Sequence, residues 1–173
     1  LTQFIGFHNY GDEYKVMGLA PYGKPVYINQ MEKIVKLKPD GSFELNLNYF
    51  RHHREKIDYE WENNSPHVGT LFSRELEKLL GSARSKDEEL TQYHKDIAHS
   101  VQVMYEKAFF HLLNKLHSKY KLDNIAIAGG CGMNSVANGK VLLNTPFKKI
   151  YVQAAAGDAG GAIGAALMTW HKI

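Results

Sequence analysis

The last third of the chain carries the pattern that most constrains the fold, because short apolar runs alternate there with glycine-rich segments. We predict a strand in NIAIAGG (124–130), a helix in CGMNSVANGKVLL (131–143), a second strand in KKIYVQAAA (148–156) and a closing helix in AGDAGGAIGAALMTWHKI (156–173). Strands and helices that alternate at this spacing require parallel strands joined by a crossover connection. The sequence therefore predicts an α/β fold.

The first half of the chain adds a helix and a hairpin to this pattern. A short helix is predicted over Glu13–Leu19, and the turn Pro21-Tyr22-Gly23 would end it. Alternating apolar residues flank Pro39-Asp40-Gly41, which predicts a β-hairpin. Residues 51–66 are polar and lack a period, so we predict a loop or a surface excursion there.

Two more helices are predicted before the last third. Apolar residues at helical spacing indicate a short helix within 67–85, before Gly81. A long helix is predicted from Glu88 to Tyr120, because one face would carry Ile97, Val101, Met104, Ala108, Leu112 and Leu116. Together with the hairpin, these elements predict a mixed sheet with flanking helices.

Composition limits the partners and the compartment. The net charge is +3 and the basic residues are spread along the chain, so we expect no nucleic-acid partner. Cys131 is the single cysteine, which excludes an internal disulfide and favours a reducing, cytoplasmic location. No apolar run is long enough to cross a bilayer. A length of 173 residues suits one domain or one lobe of a larger one, and an apolar start without Met predicts a fragment of a longer protein.

The first glycine-rich corner follows the strand in 124–130. Ligands of parallel α/β sheets bind at the carboxyl ends of the strands, and Gly129 and Gly130 would let the backbone come close to one. The side-chain amide of Asn134 could hydrogen-bond a ribose or a base edge. The alternative is a tight strand-to-helix turn that serves packing alone, and the spacing by itself favours this alternative.

The second corner contains a lone acid, Asp158, among alanines and glycines. One hypothesis is that its carboxylate caps the closing helix, because Asp is favoured at that position. The other is that the carboxylate binds a divalent metal or a nucleotide at the mouth of a cleft. Local sequence leaves both hypotheses open.

Other residues with reactive side chains give weaker patterns. His94 and His99 are five positions apart on the long helix, so they do not share a face as metal ligands four apart would. His52 and His53 fall in the charged loop, where solvated side chains are expected. Cys131 has no neighbouring base, so we interpret it as a small packing residue.

Four stretches of the chain carry a family resemblance. In order they are GDEYKVMGLAPYG (11–23), DIAHSVQ (96–102), AGGCGMNSVANGK (128–140) and QAAAGDAGGAIGAA (153–166). They resemble the NodU-type O-carbamoyltransferases of nodulation-factor and antibiotic biosynthesis. The resemblance implies one lobe of an actin-like ATPase domain, of the sugar-kinase and heat-shock-ATPase superfamily. Residues 26–85 carry little of it, and we interpret them as a hairpin-containing insertion.

The resemblance also implies an activity and its cofactors. A YrdC-like domain of such enzymes makes carbamoyl-adenylate from carbamoyl phosphate and ATP, and the actin-like domain transfers the carbamoyl group to a hydroxyl of a small molecule or sugar. A metal, typically iron, assists the transfer. In the family it is held by two histidines of an HxxxH motif and by an aspartate that Asp158 matches.

Asn134 matches a family asparagine that contacts the nucleoside, and Gly129 and Gly130 match the glycines beside it. The 11–23 stretch matches a nucleotide-contacting segment, in which Lys15 and Gly23 are the predicted contacts. The chain has no HxxxH motif, so the resemblance assigns the histidines to the first lobe of the parent protein and adenylate synthesis to its YrdC-like domain. Two alternatives stay open: a kinase or ATPase of the same superfamily, and a non-catalytic nucleotide-binding lobe.

Overall fold

The computed structural model describes residues 1–62 and 65–172, and for Glu62 and Ser65 it describes the backbone alone. The chain divides into two compact units, Leu1–Ala108 and a second that begins at Phe109, and each is described by itself. The predicted class is confirmed at the level of mixed helices and small sheets, whereas the actin-like lobe stays a prediction.

The first unit contains short helices, two hairpins and the beginning of one long helix. In chain order its elements are α1 (Glu13–Leu19), a 3₁₀ turn (Ala20–Tyr22), α2 (Ile28–Ile34), β1 (Val35–Leu37), β2 (Phe43–Leu45), a 3₁₀ turn (Leu47–Tyr49), β3 (Tyr59–Glu62), β4 (Ser65–Val68), α3 (Arg74–Leu80) and α4 (Gln92–Tyr120). The boundary between the units falls within α4. The predicted helix over Glu13–Leu19 is confirmed at both ends.

The predicted hairpin around Pro39-Asp40-Gly41 is confirmed. Strands β1 and β2 pair antiparallel, with Val35 opposite Leu45 and Leu37 opposite Phe43. Gly41 has φ +94°, a left-handed conformation that glycine adopts without strain. The Asp40 carboxylate accepts the Ser42 N–H at 2.9 Å and thereby fixes the turn.

The prediction of a loop over 51–66 is wrong in its second half. Strands β3 and β4 form an antiparallel hairpin, with Tyr59 opposite Val68 and Trp61 opposite Pro66. Tyr59 and Trp61 alternate with glutamates, but this alternation is only four residues long, and both aromatic side chains are exposed rather than packed in a core. Asn63 and Asn64 of the same segment lie outside the described residues.

The long helix is confirmed, but it begins at Gln92 rather than at Glu88. Glu88 instead belongs to a turn, in which its carboxylate accepts the Ser85 N–H at 3.2 Å. Ile97 and Met104 of the predicted apolar face are buried in the core of the first unit, together with Phe4 and Ile5. Further along the helix, Leu112 and Leu116 are exposed.

The second unit contains the predicted strand–helix–strand–helix succession. Its elements after α4 are β5 (Asn124–Ile127), a 3₁₀ turn (Gly130–Met133), α5 (Ser135–Asn138), α6 (Val141–Asn144), β6 (Lys149–Val152) and α7 (Gly160–Trp170). Strands β5 and β6 pair in parallel, from Asn124 opposite Lys149 to Ile127 opposite Val152. The parallel crossover is therefore confirmed.

The prediction of one continuous helix over 131–143 is wrong. The segment forms a 3₁₀ turn and two helices of four residues each, because Asn134 leaves the helical conformation with ψ 89° and caps α5. The small core beneath is built from Leu113, Ile127, Val141 and Phe147.

The predicted mixed sheet is also wrong. The sheets of the described residues have two strands each, namely β1–β2, β3–β4 and β5–β6, and none of them combines parallel with antiparallel pairing. The hairpin β1–β2 belongs to the first unit, whereas β5 and β6 belong to the second. After β2, the Asn46 N–H donates to the carbonyl oxygen of Ile34 at 2.8 Å, so the hairpin is extended by a bond within its own unit. No helix in the described ranges is both long and apolar enough to span a membrane.

Candidate ligand-binding corner

The two glycine-rich corners of the sequence meet at the carboxyl ends of β5 and β6. The N–H of Gly129, just after β5, donates to the carbonyl oxygen of Ala156, after β6, at 2.6 Å. Gly129 has φ +101°, which the strand-to-turn corner requires and which favours glycine. Parallel pairing of β5 with β6 places both strand ends at one edge, where α/β folds bind ligands.

Packing explains some of the glycines at this edge and leaves others unexplained. A Cβ on Gly132 would lie 3.0 Å from a methyl carbon of Ile127, and one on Gly160 would lie 2.4 Å from the carbonyl oxygen of Ala155. At Gly130 a Cβ would meet no atom of the described chain within 4 Å. Gly130 is exposed and its φ is not positive, so neither crowding nor conformation accounts for it.

Asn134 has a structural role at the edge. Its side-chain oxygen accepts the N–H of Ala137 at 3.0 Å, which caps α5. Asn138, one turn later, donates from its amide to the carbonyl oxygen of Gly132 at 2.7 Å. Sequence reasoning missed Asn138, although its spacing of four from Asn134 on a short helix is a visible signal. The predicted contact of Asn134 with a nucleoside stays a prediction.

Asp158 lies exposed in the turn between β6 and α7. The hypothesis that its carboxylate caps the closing helix is wrong, because the N-cap residue is Ala159 and no side chain caps that end. The Asp158 carboxylate has no hydrogen-bond partner among the residues that the structure describes. Its oxygens are therefore available to a ligand.

A complete metal site is not present in the described part of the chain. No three histidine, cysteine, aspartate or glutamate side chains cluster there in a way that could hold an ion. The assignment of Asp158 as a metal ligand stays a prediction.

Lys15 belongs to the first unit and is paired with a buried acid. Its ammonium lies 2.7 Å from the carboxylate of Asp12, which is 5% exposed. The other carboxylate oxygen of Asp12 accepts the Asn9 N–H at 3.2 Å. The hydrogen bond to Asp12 raises the pKa of Lys15 above its usual value. Sequence reasoning missed Asp12, whose spacing of three from Lys15 on a helix start was the available signal.

Gly23 lies where the chain passes against α4. A Cβ at this position would lie 1.9 Å from the carbonyl oxygen of Lys95 and 2.7 Å from the backbone nitrogen of Asp96. Close backbone packing therefore requires glycine here, and the predicted nucleotide contact of Gly23 stays a prediction. Two of the four sequence motifs, 11–23 and 96–102, thus contact each other within the first unit.

The histidines of α4 make separate structural contacts. Nδ1 of His94 accepts the Thr91 N–H at 3.1 Å at the start of the helix, and burial lowers the pKa of His94. Nδ1 of His99 lies 2.8 Å from the carbonyl oxygen of Ala20. Whether the two histidines bind a metal stays a prediction, because these contacts engage only the Nδ1 atom of each ring.

A cavity of about 330 Å³ opens in the first unit. Aromatic side chains such as Phe7 and Phe50 line it, together with His8 and His52. Lys15 and Gly23 are not among its lining residues. The predicted site residues thus fall into two groups: Lys15 and Gly23 in the first unit, and Gly129, Gly130, Asn134 and Asp158 in the second.

The second unit thus has parallel strands whose carboxyl ends carry glycine-rich corners and an exposed acid, and α/β folds commonly bind ligands at such an edge. Residues 1–167 match the family model described as the carbamoyltransferase N-terminus. The chain therefore belongs to the carbamoyltransferase family, which confirms the resemblance drawn from the four motifs.

Relatives of known sequence agree with this assignment. The chain is 42% identical over 99% of its length to an uncharacterised protein of Synechocystis sp., of which it covers 26%. It is 34% identical to the nodulation protein NolNO of Sinorhizobium fredii, over 99% of this chain and 22% of that protein. It is also 34% identical to the nodulation protein NolO of Bradyrhizobium diazoefficiens, over 94% of this chain and 26% of that protein. The chain thus spans about a quarter of the length of these relatives.

Proposed function

We propose that the parent protein is an O-carbamoyltransferase, which moves a carbamoyl group from carbamoyl-adenylate to a hydroxyl of a small molecule or sugar. Carbamoyl-adenylate would be made in a separate YrdC-like domain of the same protein from carbamoyl phosphate, water and ATP, with release of phosphate and pyrophosphate. This chain would be one lobe of the actin-like domain in which transfer takes place. The family match over residues 1–167 supports the class of reaction.

The observation that carries the proposal for the site is the meeting of the two glycine-rich corners. The 2.6 Å hydrogen bond from Gly129 to Ala156 joins the segment that holds Gly130 and Asn134 to the segment that holds Asp158. An acid, an amide and an open glycine thereby follow two paired strands at one edge. A nucleotide-linked carbamoyl group needs these types of partner within one site.

The chain offers this site one metal ligand. Asp158 is exposed and its carboxylate caps no helix, so it fits the part of a carboxylate ligand to iron or another divalent metal. The histidine ligands would come from the parent protein's other lobe, since the family's HxxxH motif does not occur in this sequence. When bound, the metal would supply Lewis-acid polarisation of the carbamoyl oxygen.

In the transfer step, the acceptor's hydroxyl oxygen forms a bond to the carbamoyl carbon. The bond from that carbon to the adenylate phosphate oxygen breaks, AMP leaves with the electron pair, and the hydroxyl proton passes to a base or to water. The exposed backbone of Gly130 would approach the phosphate without a side chain in between. The N–H of Gly129 already donates to the carbonyl oxygen of Ala156, so the proposed role of Gly129 is to form the turn.

Within the first unit, we propose that Lys15 and Gly23 belong to a nucleotide-contacting segment, as the family resemblance implies. The Lys15 ammonium is held by buried Asp12, which fixes where its positive charge lies. A fixed ammonium attracts the phosphate of a nucleotide. Gly23 keeps the following segment close to α4, where a larger residue would displace it.

Product analysis of the full-length protein tests the proposed reaction. The protein is incubated with ATP, carbamoyl phosphate and a panel of aminoglycoside and oligosaccharide acceptors, and products are identified by mass spectrometry. We expect AMP and an acceptor heavier by one carbamoyl group. ADP with a phosphorylated acceptor would instead establish a kinase, and unchanged acceptors with bound nucleotide would establish a non-catalytic lobe.

The 173-residue chain alone provides a control for this experiment. It lacks the HxxxH histidines of the family, and we expect it to form no carbamate ester under the same conditions. Turnover by this chain alone would contradict the proposed division of the site between lobes.

A further inference from the structure

Side chains on one face of α4 hold the main chain of the segment Ala20–Tyr27. The Lys24 N–H donates to the carboxylate of Asp96 at 2.8 Å, and the Tyr27 N–H donates to the hydroxyl of Ser100 at 3.1 Å. Both acceptors belong to the 96–102 motif, and both bonds join residues more than 70 positions apart.

Carbonyl groups of the same segment are held in the same way. Nδ1 of His99 lies 2.8 Å from the carbonyl oxygen of Ala20 and must donate, since a carbonyl oxygen only accepts. The amide of Gln92 donates to the carbonyl oxygen of Tyr22 at 3.1 Å.

The side chains that hold the segment are themselves fixed by one another. Gln92 also donates to the Asp96 carboxylate at 2.8 Å, and the Ser100 hydroxyl donates to the Asp96 carbonyl oxygen at 2.7 Å. Ser100 is fully buried. A network in which each member is oriented by another holds its targets more precisely than separate bonds do.

The outward face of the segment is open although its main chain is held. Tyr22 is 70% exposed and Val26 is 57% exposed, while Pro21 and Pro25 restrict the backbone from within. An exposed turn that served only as a connection would not need contacts to both its amides and its carbonyls. Fixed backbone with exposed side chains is the arrangement of a preorganised binding surface.

We infer that Asp96, His99 and Ser100 are positioning residues, which hold Ala20–Tyr27 in place so that Tyr22 and Lys24 meet the carbamoyl donor. This inference rests on the proposed function, since it takes carbamoyl-adenylate as the molecule that the segment meets. The three residues touch the segment and not the reacting atoms.

Hydrogen exchange and product yield in the full-length protein test this inference. Asp96→Ala removes the acceptor of the Lys24 N–H, whereas Asp96→Asn keeps an oxygen at that position. Asp123→Ala is the matched control, because Asp123 is an exposed carboxylate that forms an ion pair with Lys148 at 2.9 Å. The two readouts are the exchange rate of the Lys24 amide and the ratio of carbamate ester formed to AMP released.

In Asp96→Ala, we expect the amide hydrogen of Lys24 to exchange about tenfold faster and the amount of ester formed per AMP released to fall about tenfold. The reason is the loss of a hydrogen bond to a charged group. Donor synthesis would continue, so the unused adenylate would hydrolyse to AMP. Asp96→Asn should recover part of both values, and Asp123→Ala should change neither.

Two results would overturn the inference. Unchanged exchange of the Lys24 amide in Asp96→Ala would show that Asp96 does not fix the segment. Faster exchange with an unchanged ester yield would show that fixing the segment does not assist carbamoyl transfer. If the wild-type protein forms no carbamate ester, the proposed function fails and with it the role toward the donor. Exchange at Lys24 and Tyr27 then decides separately whether α4 holds the segment.

Discussion

Replacement of Gly23 by alanine tests the close packing of the 20–27 segment against α4. A Cβ at this position would lie 1.9 Å from the carbonyl oxygen and 2.3 Å from the carbonyl carbon of Lys95. Both atoms belong to the backbone of a long helix, so they cannot move aside as a flexible side chain would. The segment must therefore retreat from the helix in Gly23→Ala.

The retreat has two energetic costs. Overpacking of a tight position costs about 1–3 kcal/mol. Displacement also breaks the 2.8 Å bond from the Lys24 N–H to the Asp96 carboxylate, and a hydrogen bond to a charged group contributes about 1.5–3 kcal/mol. We expect the free energy of unfolding to fall by about 3–5 kcal/mol in total.

Urea unfolding of the 173-residue chain, followed by helix circular dichroism, measures this loss. Gly18→Ala is the matched control, because Gly18 lies in α1 and a Cβ there would meet no atom of the described chain within 4 Å. Alanine is the better helix former, so Gly18→Ala should raise stability by about 0.5–1 kcal/mol. A free energy of unfolding of Gly23→Ala within about 0.5 kcal/mol of the wild-type value would refute the reasoning, since substitutions at unconstrained surface positions usually change stability by no more than that.

Three more outcomes follow from individual contacts. Asn134→Ala should destabilise the chain by about 1 kcal/mol, as loss of a helix cap does, and Asn134→Ser should restore stability. If Asn134 also contacts the nucleoside, Asn134→Ser will not restore ester formation in the full-length protein. Burial lowers the pKa of His94 below its usual 6.5, so the unfolded chain binds that proton more readily. The free energy of unfolding should therefore fall as pH drops below 6.5, and His94→Gln should lessen this slope in urea titrations at several pH values. Ile97→Ala, at a fully buried position, should cost about 2–5 kcal/mol in thermal and urea unfolding, whereas exposed Leu143→Ala should cost less than about 0.5 kcal/mol.

Local signals in the sequence predicted the elements that depend on local chemistry. The turn Pro39-Asp40-Gly41 predicts its hairpin because Gly41 supplies the positive φ and Asp40 bonds the turn amide. The apolar stripe of α4 predicts a long helix because its first half packs into a core. Parallel pairing of β5 and β6 follows from the crossover between them.

Features that depend on distant or unusual contacts were missed. In β3 of the β3–β4 hairpin, the aromatic residues Tyr59 and Trp61 alternate with glutamates, but this signal spans only four residues within a polar segment, and both aromatic side chains are exposed. The helix predicted over 131–143 breaks because Asn134 bonds the backbone in place of a helical turn.

The candidate site was predicted in part. The glycine corners and Asp158 are visible in the sequence, and the structure adds that the corners are hydrogen-bonded to each other. The network on α4 involves residues about 70 positions from their partners. No local spacing reveals such contacts, because they arise only when the chain has folded.

The central claim is that Asp158 is a metal ligand of a carbamoyltransferase. Its most direct test is the metal content of the purified full-length protein, measured by mass spectrometry for wild type, Asp158→Ala and the control Asp123→Asn. Changes outside the ligand shell already weaken metal binding about 10- to 100-fold, so we expect Asp158→Ala to lose at least that much affinity and its ester formation, and Asp123→Asn to keep both. Full metal content and undiminished ester formation in Asp158→Ala would contradict the claim.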